Sequence, residues 1–356
     1  MAKKKQGWSM IGITARVIML LSAAILALSY VAIVVNPAKA WYFCILGILF
    51  VPLLLLNLVF LIWALCKKSS SFIIPLVVLL PSLIFIGRYF RFASGGARQG
   101  KESIKIMTYN VGQFILGRGY EYSESLDSIT TMVRNSDADI VCMQEFNIGQ
   151  VKDMQKLLEE RFPGYFACYY INLNSGSSSG NVTLSKFPIE SRGHFDFENS
   201  SNLAIYTDIM IGEQKMRIYN CHFQSYSISL PSLARNWRNK TVRKETENKM
   251  KTSIIKRSSQ VEQVLSDIEN CPVESIVTGD FNDTPMSYTY HRLRKGKKDA
   301  FVEAGSGFGA TYSFLWPLIR IDYILYPRSF KGVSYSCRHV GYSDHYPIMT
   351  AVNLPE

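Results

Sequence analysis

The sequence predicts an α/β protein, a two-sheet β-sandwich flanked by helices that stands behind an N-terminal bundle of about three transmembrane helices. Three observations carry this. The first ninety or so residues are almost wholly apolar, the remainder is built of short β-rich runs with interspersed helices, and a Gly-rich segment separates the two.

Charge follows the same division. The 356-residue chain has a formal net charge of +11, which suggests a nucleic-acid footprint until it is mapped. Residues 1–101 hold eleven Lys and Arg and no acid, and the remaining 28 basic residues balance all 28 acidic ones. The excess therefore flanks apolar segments and argues for a membrane rather than for DNA.

Of those segments, Ile11–Val35 carries one charge, Arg16, and Trp41–Leu65 carries none. Ser69–Gly87 is charge-free but short, and contains Pro75 and Pro81. A bilayer core needs roughly 20 apolar residues per helix, so two segments qualify easily and the third marginally. A cleaved signal peptide would be shorter, with no further spans behind it. The expected plan is a transmembrane region over 1–93 (spans about 11–35, 41–65 and 70–88), a linker over 94–101 and a domain over 102–356. Lys3–Lys5 and Lys67–Lys68 flank the first two spans on one side, cytoplasmic by the positive-inside rule. Three crossings then place the domain extracytoplasmically, although Arg88, Arg91, Arg98 and Lys101 pull the other way.

Within the domain, strands are expected at Ile104–Tyr109, Ile140–Gln144, Tyr165–Ile171, Val182–Ser185, Leu203–Ile211, Met216–Phe223, Ser275–Thr278, Ile321–Leu325 and Tyr346–Val352. Helices are expected over Ser123–Asn135, Gly149–Arg161, Ser258–Glu269 and Met286–Arg294, with a flexible loop at Asn174–Gly180. Ser232–Gln260 has nine Lys/Arg against two Glu and includes Trp237; it reads as a loop followed by a basic helix that runs into Ser258–Glu269. Such a helix is either a solvated face or an arm for anionic lipid or a polyanionic substrate. The cysteines form no Cys-x-x-Cys pair, so neither zinc nor a disulfide framework is expected, and Cys142 and Cys221 read as buried thiols.

The chemistry lies at the ends of the β-rich runs. In chain order come Thr108-Tyr109-Asn110, Gln144-Glu145, Asn220-Cys221-His222, Gly279-Asp280-Phe281-Asn282, Arg320-Ile321-Asp322-Tyr323 and Ser343-Asp344-His345. Splitting a phosphoester needs a hard cation held by oxygen ligands, a positioned water, and donors around the developing charge. Carboxylates, amides and imidazoles at strand ends are the corresponding signature. His194 and His291 fall outside these blocks and read as structural.

Taken together, the ordered blocks resemble the endonuclease/exonuclease/phosphatase superfamily, from about Lys101 to Glu356. The resemblance implies a DNase I-like four-layer sandwich and a Mg²⁺- (or Mn²⁺-) dependent phosphoesterase. It implies Glu145 as principal metal ligand, with Asn110 beside it and Asp344 completing the shell. Asp280 would orient or deprotonate water, Asn282 would donate to the phosphate, and His345 would stabilise the charged transition state. Asp322 would hold the other nitrogen of that ring, and His222 would donate to a nonbridging or leaving oxygen. Two departures, Phe146-Asn147 after Gln144-Glu145 and Asp283-Thr284-Pro285 after the Gly-Asp-Phe-Asn block, speak against abasic-site repair. The expected partners are the lipid bilayer, through the N-terminal helices, and a phosphoester, either nucleic acid or a phospholipid head group. A nuclease is the first reading and a lipid or inositol-phosphate hydrolase the second. Apolar Ser313–Ile319, with Phe314 and Trp316, would favour the second; a non-catalytic scaffold is the remaining one.

Overall fold

A computed structural model of the chain describes residues 12–93, 95–100, 102–115, 117, 119–149, 153–172, 178–226, 235–236 and 238–355. Ser94 of the expected linker, most of the Asn174–Gly180 loop, Trp237 and residues 232–234 of the basic stretch lie outside the described residues.

Two six-stranded sheets form the sandwich. In one, β2 (Ser103–Asn110) and β3 (Ile140–Asn147) are a central parallel pair. Around them lie β4 (Phe166–Asn172), β5 (Ser179–Ser185), β13 (Lys331–Cys337) and β14 (Ile348–Asn353), in the order β13-β14-β2-β3-β5-β4. The other runs β10-β12-β9-β8-β7-β6, again with a central parallel pair, β8 (Gln214–His222) and β9 (Ser275–Asp280). Its remaining strands are β6 (Ile189–Asp196), β7 (Leu203–Ile211), β10 (Lys297–Asp299) and β12 (Asp322–Pro327). Parallel neighbours require a helical crossover. Helix Tyr122–Ser136 links the first pair and the 31-residue helix Lys240–Asn270 the second, each covering an outer sheet face.

Both faces of the central strands are buried, which is why they read as near-continuous apolar runs. Ile104, Ile106, Ile140 and Cys142 meet Met216, Ile218, Ile276 and Ile324 between the sheets. Met107 and Val141 face the helix layer of Leu126, Ile129 and Val133, while Tyr219 and Val277 face Val261 and Val264 of the long helix. The expected four-layer sandwich is the fold.

The sequence expectation missed β6, β10 and β13, and all three are sheet edges. An edge strand is half solvated and carries polar residues, so it lacks an apolar run; β6 alternates half-buried and exposed positions throughout. One helix starts later than expected: Asp153 caps it at Met154 by accepting from the Lys156 N–H. As expected, the basic helix runs into Ser258–Glu269, and Asn239 caps the resulting continuous rod at Lys240.

The N-terminal region departs from three regular spans. Among the described residues, α1 (Ile13–Val31) is the single unbroken helix long and apolar enough to cross a membrane. The second segment is bent by 60° between α2 (Tyr42–Ile48) and α3 (Phe50–Cys66). Pro52 explains the break, since it has no N–H to offer the Ile48 carbonyl. The third, Ser70–Ile84, is too short to count and mixes α and 3-10 turns around Pro81. The segments nevertheless pack on one another. Leu26, Phe50, Leu54, Val78 and Phe85 form a cluster, and Asn57 donates to Ser22 Oγ at 2.9 Å across α1 and α3. Their outward faces are apolar: Val17, Leu21, Leu28, Leu56, Val59, Ile62, Val77 and Leu83 are all exposed.

That bundle is fastened to the sandwich. Met286 belongs to the same cluster as Leu26 and Phe50, and Gly47 lies so close that a Cβ would sit 2.3 Å from the Met286 carbonyl oxygen. Arg88 donates to the Pro285 carbonyl at 3.1 Å, and β1 (Phe90–Arg91) pairs with β11 (Gly307–Phe308).

Candidate active site

Register gathers the polar strand ends at one rim. Across the second sheet His222, Asp280 and Asp322 stand side by side, since His222 pairs with Asp280 and Asp280 with Asp322. Across the first, Asn110 pairs with Gln144, which brings Glu145 alongside. Glu145 sits where the β3–β5 ladder shifts register between Met143 and Phe146, with a left-handed φ of 53°. A glutamate gains nothing locally from that conformation, and the bulge turns its side chain away from the ladder into the rim. Asn282 also has a positive φ, 51°, which asparagine tolerates better.

Asp280 is the centre. Its Oδ2 accepts from Asn110 Nδ2 at 3.0 Å and from Asn282 Nδ2 at 3.1 Å, and its Oδ1 accepts from the Asn282 N–H at 2.8 Å. His345 Nε2 is 3.7 Å and His222 Nε2 3.8 Å from the same Oδ2. Burial raises the Asp280 carboxyl to about 6, with His345 opposing and Asp322 reinforcing the shift. The other ring nitrogen of His345 lies 3.0 Å from Asp322 Oδ2. Burial alone would lower the His345 pKa, but Asp322, Asp280 and Asp344 outweigh it and hold the imidazole well above its ordinary value. Tyr312 closes one side, with its ring edge-on to His345 at 5.3 Å.

All eight residues expected from the sequence converge here. The resemblance placed Asn110 beside the metal, but its Oδ1 accepts from the Gly112 N–H and its Nδ2 faces Glu145 (3.2 Å) and Asp280. In this orientation it bridges two carboxylates with donors rather than offering an oxygen. Glu145 and Asp344 face the same cavity, and burial together with the Glu145 charge raises the Asp344 carboxyl. Two carboxylates facing one cavity, with no lysine or arginine paired to either among the described residues, suit a hard divalent ion. Asp280, Asp322 and His345 also have ligand atoms within 4.8 Å of one another. The Asp322–His345 contact is also a hydrogen bond at 3.0 Å that orients the ring.

Several participants escaped sequence reading. Arg257, from the basic helix, is buried; it reaches Asp283 Oδ2 at 3.3 Å and donates to the carbonyls of Gln224 and Asn282. Asn202 donates to His222 Nε2 at 3.0 Å, and Gln113 donates to Glu145 Oε2 at 3.4 Å. None follows an apolar run, and only the fold brings them near. Arg320 is a structural tie, paired in the interior with Asp299 and donating to the Arg88 carbonyl at 3.0 Å. His194 stacks on Tyr170 at the β6 edge, away from the rim.

The sequence model of the Endonuclease/Exonuclease/phosphatase family matches residues 107–345. The chain belongs to that family. Its members hydrolyse phosphoesters, generally with a divalent metal, and this chain is a hydrolase of that class. Residues 13–89 match a separate domain of unknown function, DUF8431. No curated protein matches the chain. Among solved structures, an endonuclease/exonuclease/phosphatase from Bacteroides vulgatus is similar with a TM-score of 0.54 at 17% identity, covering 71% of this chain and 100% of that one. The human Nocturnin catalytic domain with bound sulfate has a TM-score of 0.52 at 15% identity over 72% and 95%. D. rerio TDP2 complexed with a single-strand DNA product has a TM-score of 0.52 at 15% identity over 70% and 99%. At these identities the likeness shows the fold alone.

Proposed function

We propose that the chain is a membrane-anchored, Mg²⁺- or Mn²⁺-dependent phosphodiesterase. The observation that carries this is the Asp280 carboxylate, ringed by two imidazoles and two amides beside the Glu145–Asp344 pole. Glu145 and Asp344 would hold the cation, which when bound neutralises the phosphate and draws charge from it.

The remaining work falls to side chains. A carboxyl raised to about 6 is a competent base near neutral pH, so Asp280 accepts the proton of the attacking water. Asn110 and Asn282 fix its orientation. His345, kept cationic by Asp322, faces the oxygen on which negative charge grows. His222 offers a second imidazole on the other side of Asp280.

Anchoring is supported by α1, whose apolar face is mostly exposed, as the buried core helix of a soluble protein would not be. Full-length protein in detergent should release p-nitrophenol from bis(p-nitrophenyl) phosphate with Mg²⁺ or Mn²⁺ and lose that activity to a chelator. Asp280→Asn and His345→Ala should each lower kcat by about a hundredfold or more. Unchanged turnover in both variants would overturn the site.

A further inference from the structure

The cavity that holds the catalytic carboxylates has a second wall for which phosphate chemistry has no use. Its volume is about 550 Å³, and beyond Glu145, Asp280 and His345 it is bounded by Ile48, Tyr226, Met250, Leu315, Ile319 and Ile321. Ile48 stands at the break between α2 and α3, so the N-terminal apolar region itself closes the site. Among the described residues, no lysine or arginine lines the cavity. The basic helix presents Met250 to it, and Arg257 is spent on Asp283.

The rim carries a matching signal. Phe314 and Trp316, flanking Leu315, are exposed. Trp316 meets Phe308 edge-on at 6.0 Å, and Phe308 meets Phe90 at 5.0 Å, directly after the third apolar segment. Phe92 is 97% exposed. Aromatic side chains where apolar helices end mark the level of a bilayer–water boundary. The catalytic cavity therefore opens beside that boundary.

We infer that the substrate is an amphipathic phosphoester of the bilayer, a lipid whose phosphate reaches Asp280 while its hydrocarbon chain lies along Ile48, Leu315 and Ile319. The inference rests on the phosphodiesterase reading above. In the step, a water oxygen bonds to phosphorus and the P–O bond to the leaving alcohol breaks. One water proton passes to Asp280, and the leaving oxygen takes up a proton. A nucleic acid would instead press a row of phosphates against a wall that, among the described residues, carries no lysine or arginine.

The test compares three esters with the same leaving group: hexadecyl, methyl and thymidine 5′-(p-nitrophenyl) phosphate. Full-length protein in dodecyl maltoside with Mg²⁺ is assayed at matched substrate mole fraction in the micelle. The hexadecyl ester should exceed both others in kcat/KM by at least about tenfold, since several methylenes are buried. Leu315→Asn and Ile319→Asn should each shrink the hexadecyl-to-methyl ratio about tenfold, as should Ile48→Asn from the opposite wall. Because each ratio is taken within one variant, loss of folded protein cancels. A hexadecyl ester cleaved no faster than the methyl one, a thymidine ester cleaved fastest, or ratios unmoved by the variants would overturn the lipid assignment. In those cases phosphodiester hydrolysis would stand. Failure of the wild type to cleave any ester would overturn the reading beneath it.

Discussion

Asp322 and Asp280 show how one residue type takes two roles from its neighbours. Asp322 lies 3.0 Å from the His345 ring nitrogen and supports its charge; burial raises the Asp280 carboxyl to about 6, although it accepts amide N–H groups that pull it down. A base must be deprotonated to act, so turnover should climb as pH rises through about 6 and then level off. Asp322→Asn removes the charge that keeps His345 protonated. We expect kcat to fall by about a hundredfold and the activity of the variant to decline with rising pH, where the wild type stays level. A pH–rate profile of the pair checks both, and a simple packing defect would lower the rate without moving the alkaline limb. Residue identities at the rim were legible because polar groups closing apolar runs are conspicuous. The bulge that aims Glu145 was not, since nothing in Gln144-Glu145-Phe146 specifies a left-handed glutamate.

Among the elements, the two central parallel pairs are what the site depends on. They are locked together by a buried polar network between the sheets. Gln144 donates to Asn220 Oδ1 at 2.8 Å and to Thr108 Oγ1 at 3.0 Å, while Asn220 donates to the carbonyls of Met143 and Val182. This fixes the Glu145 end of one sheet against the His222 end of the other. A second buried device, Arg320–Asp299, holds the strand that presents Asp322. The guanidinium also lies over the rings of Phe301 and Tyr323. Arg320→Met should destabilise the chain by about 3–5 kcal/mol at neutral pH, because Asp299 is left buried and charged. Burial pushes the Asp299 carboxyl up, but Arg320 outweighs it and holds it below the usual carboxylate range. That stability is therefore complete above the unfolded value of about 3.9 and is lost as pH falls through the lower folded value. In the variant burial is opposed by the Tyr290 hydroxyl and the more distant Arg294 but no longer by Arg320, so the carboxyl rises and acid relieves the cost. The gap in Tm between the two proteins should narrow on acidification, which thermal melts between neutral pH and pH of about 4 would read.

At the scale of the whole molecule, the N-terminal apolar region is packed into the sandwich as a structural part of it. Tyr30, Phe50 and Met286 share a cluster, Asn36 reaches the Tyr288 hydroxyl at 3.4 Å, and Arg88 bonds to Pro285. Arg88 is thus taken up by the sandwich, which removes it as an argument for a cytoplasmic domain. The sandwich sits at the end of the bundle opposite Lys67–Lys68, for Met19, Ala64 and Phe72 form a separate cluster near those lysines. A reporter fused after Glu356 should therefore register an extracytoplasmic end; a cytoplasmic signal would refute that topology. Deleting residues 1–93 should do more than solubilise the chain. It uncovers Met286 and removes the Arg88 carbonyl that Arg320 uses, so we expect the fragment to unfold at a lower temperature and to lose any preference for long-chain esters.

Sequence alone determined the sandwich, the side chains that gather at its rim and the apolar N-terminal third, because buried strands, strand-end carboxylates and long apolar segments each leave a composition that can be read locally. It could not show which surfaces meet. Tertiary structure decided that Ile48 closes the cavity, that Arg257 and Arg320 are internal struts, and that the basic helix offers the cavity a methionine instead of a lysine. Those outcomes depend on contacts between residues up to hundreds of positions apart, which no local pattern of polarity encodes.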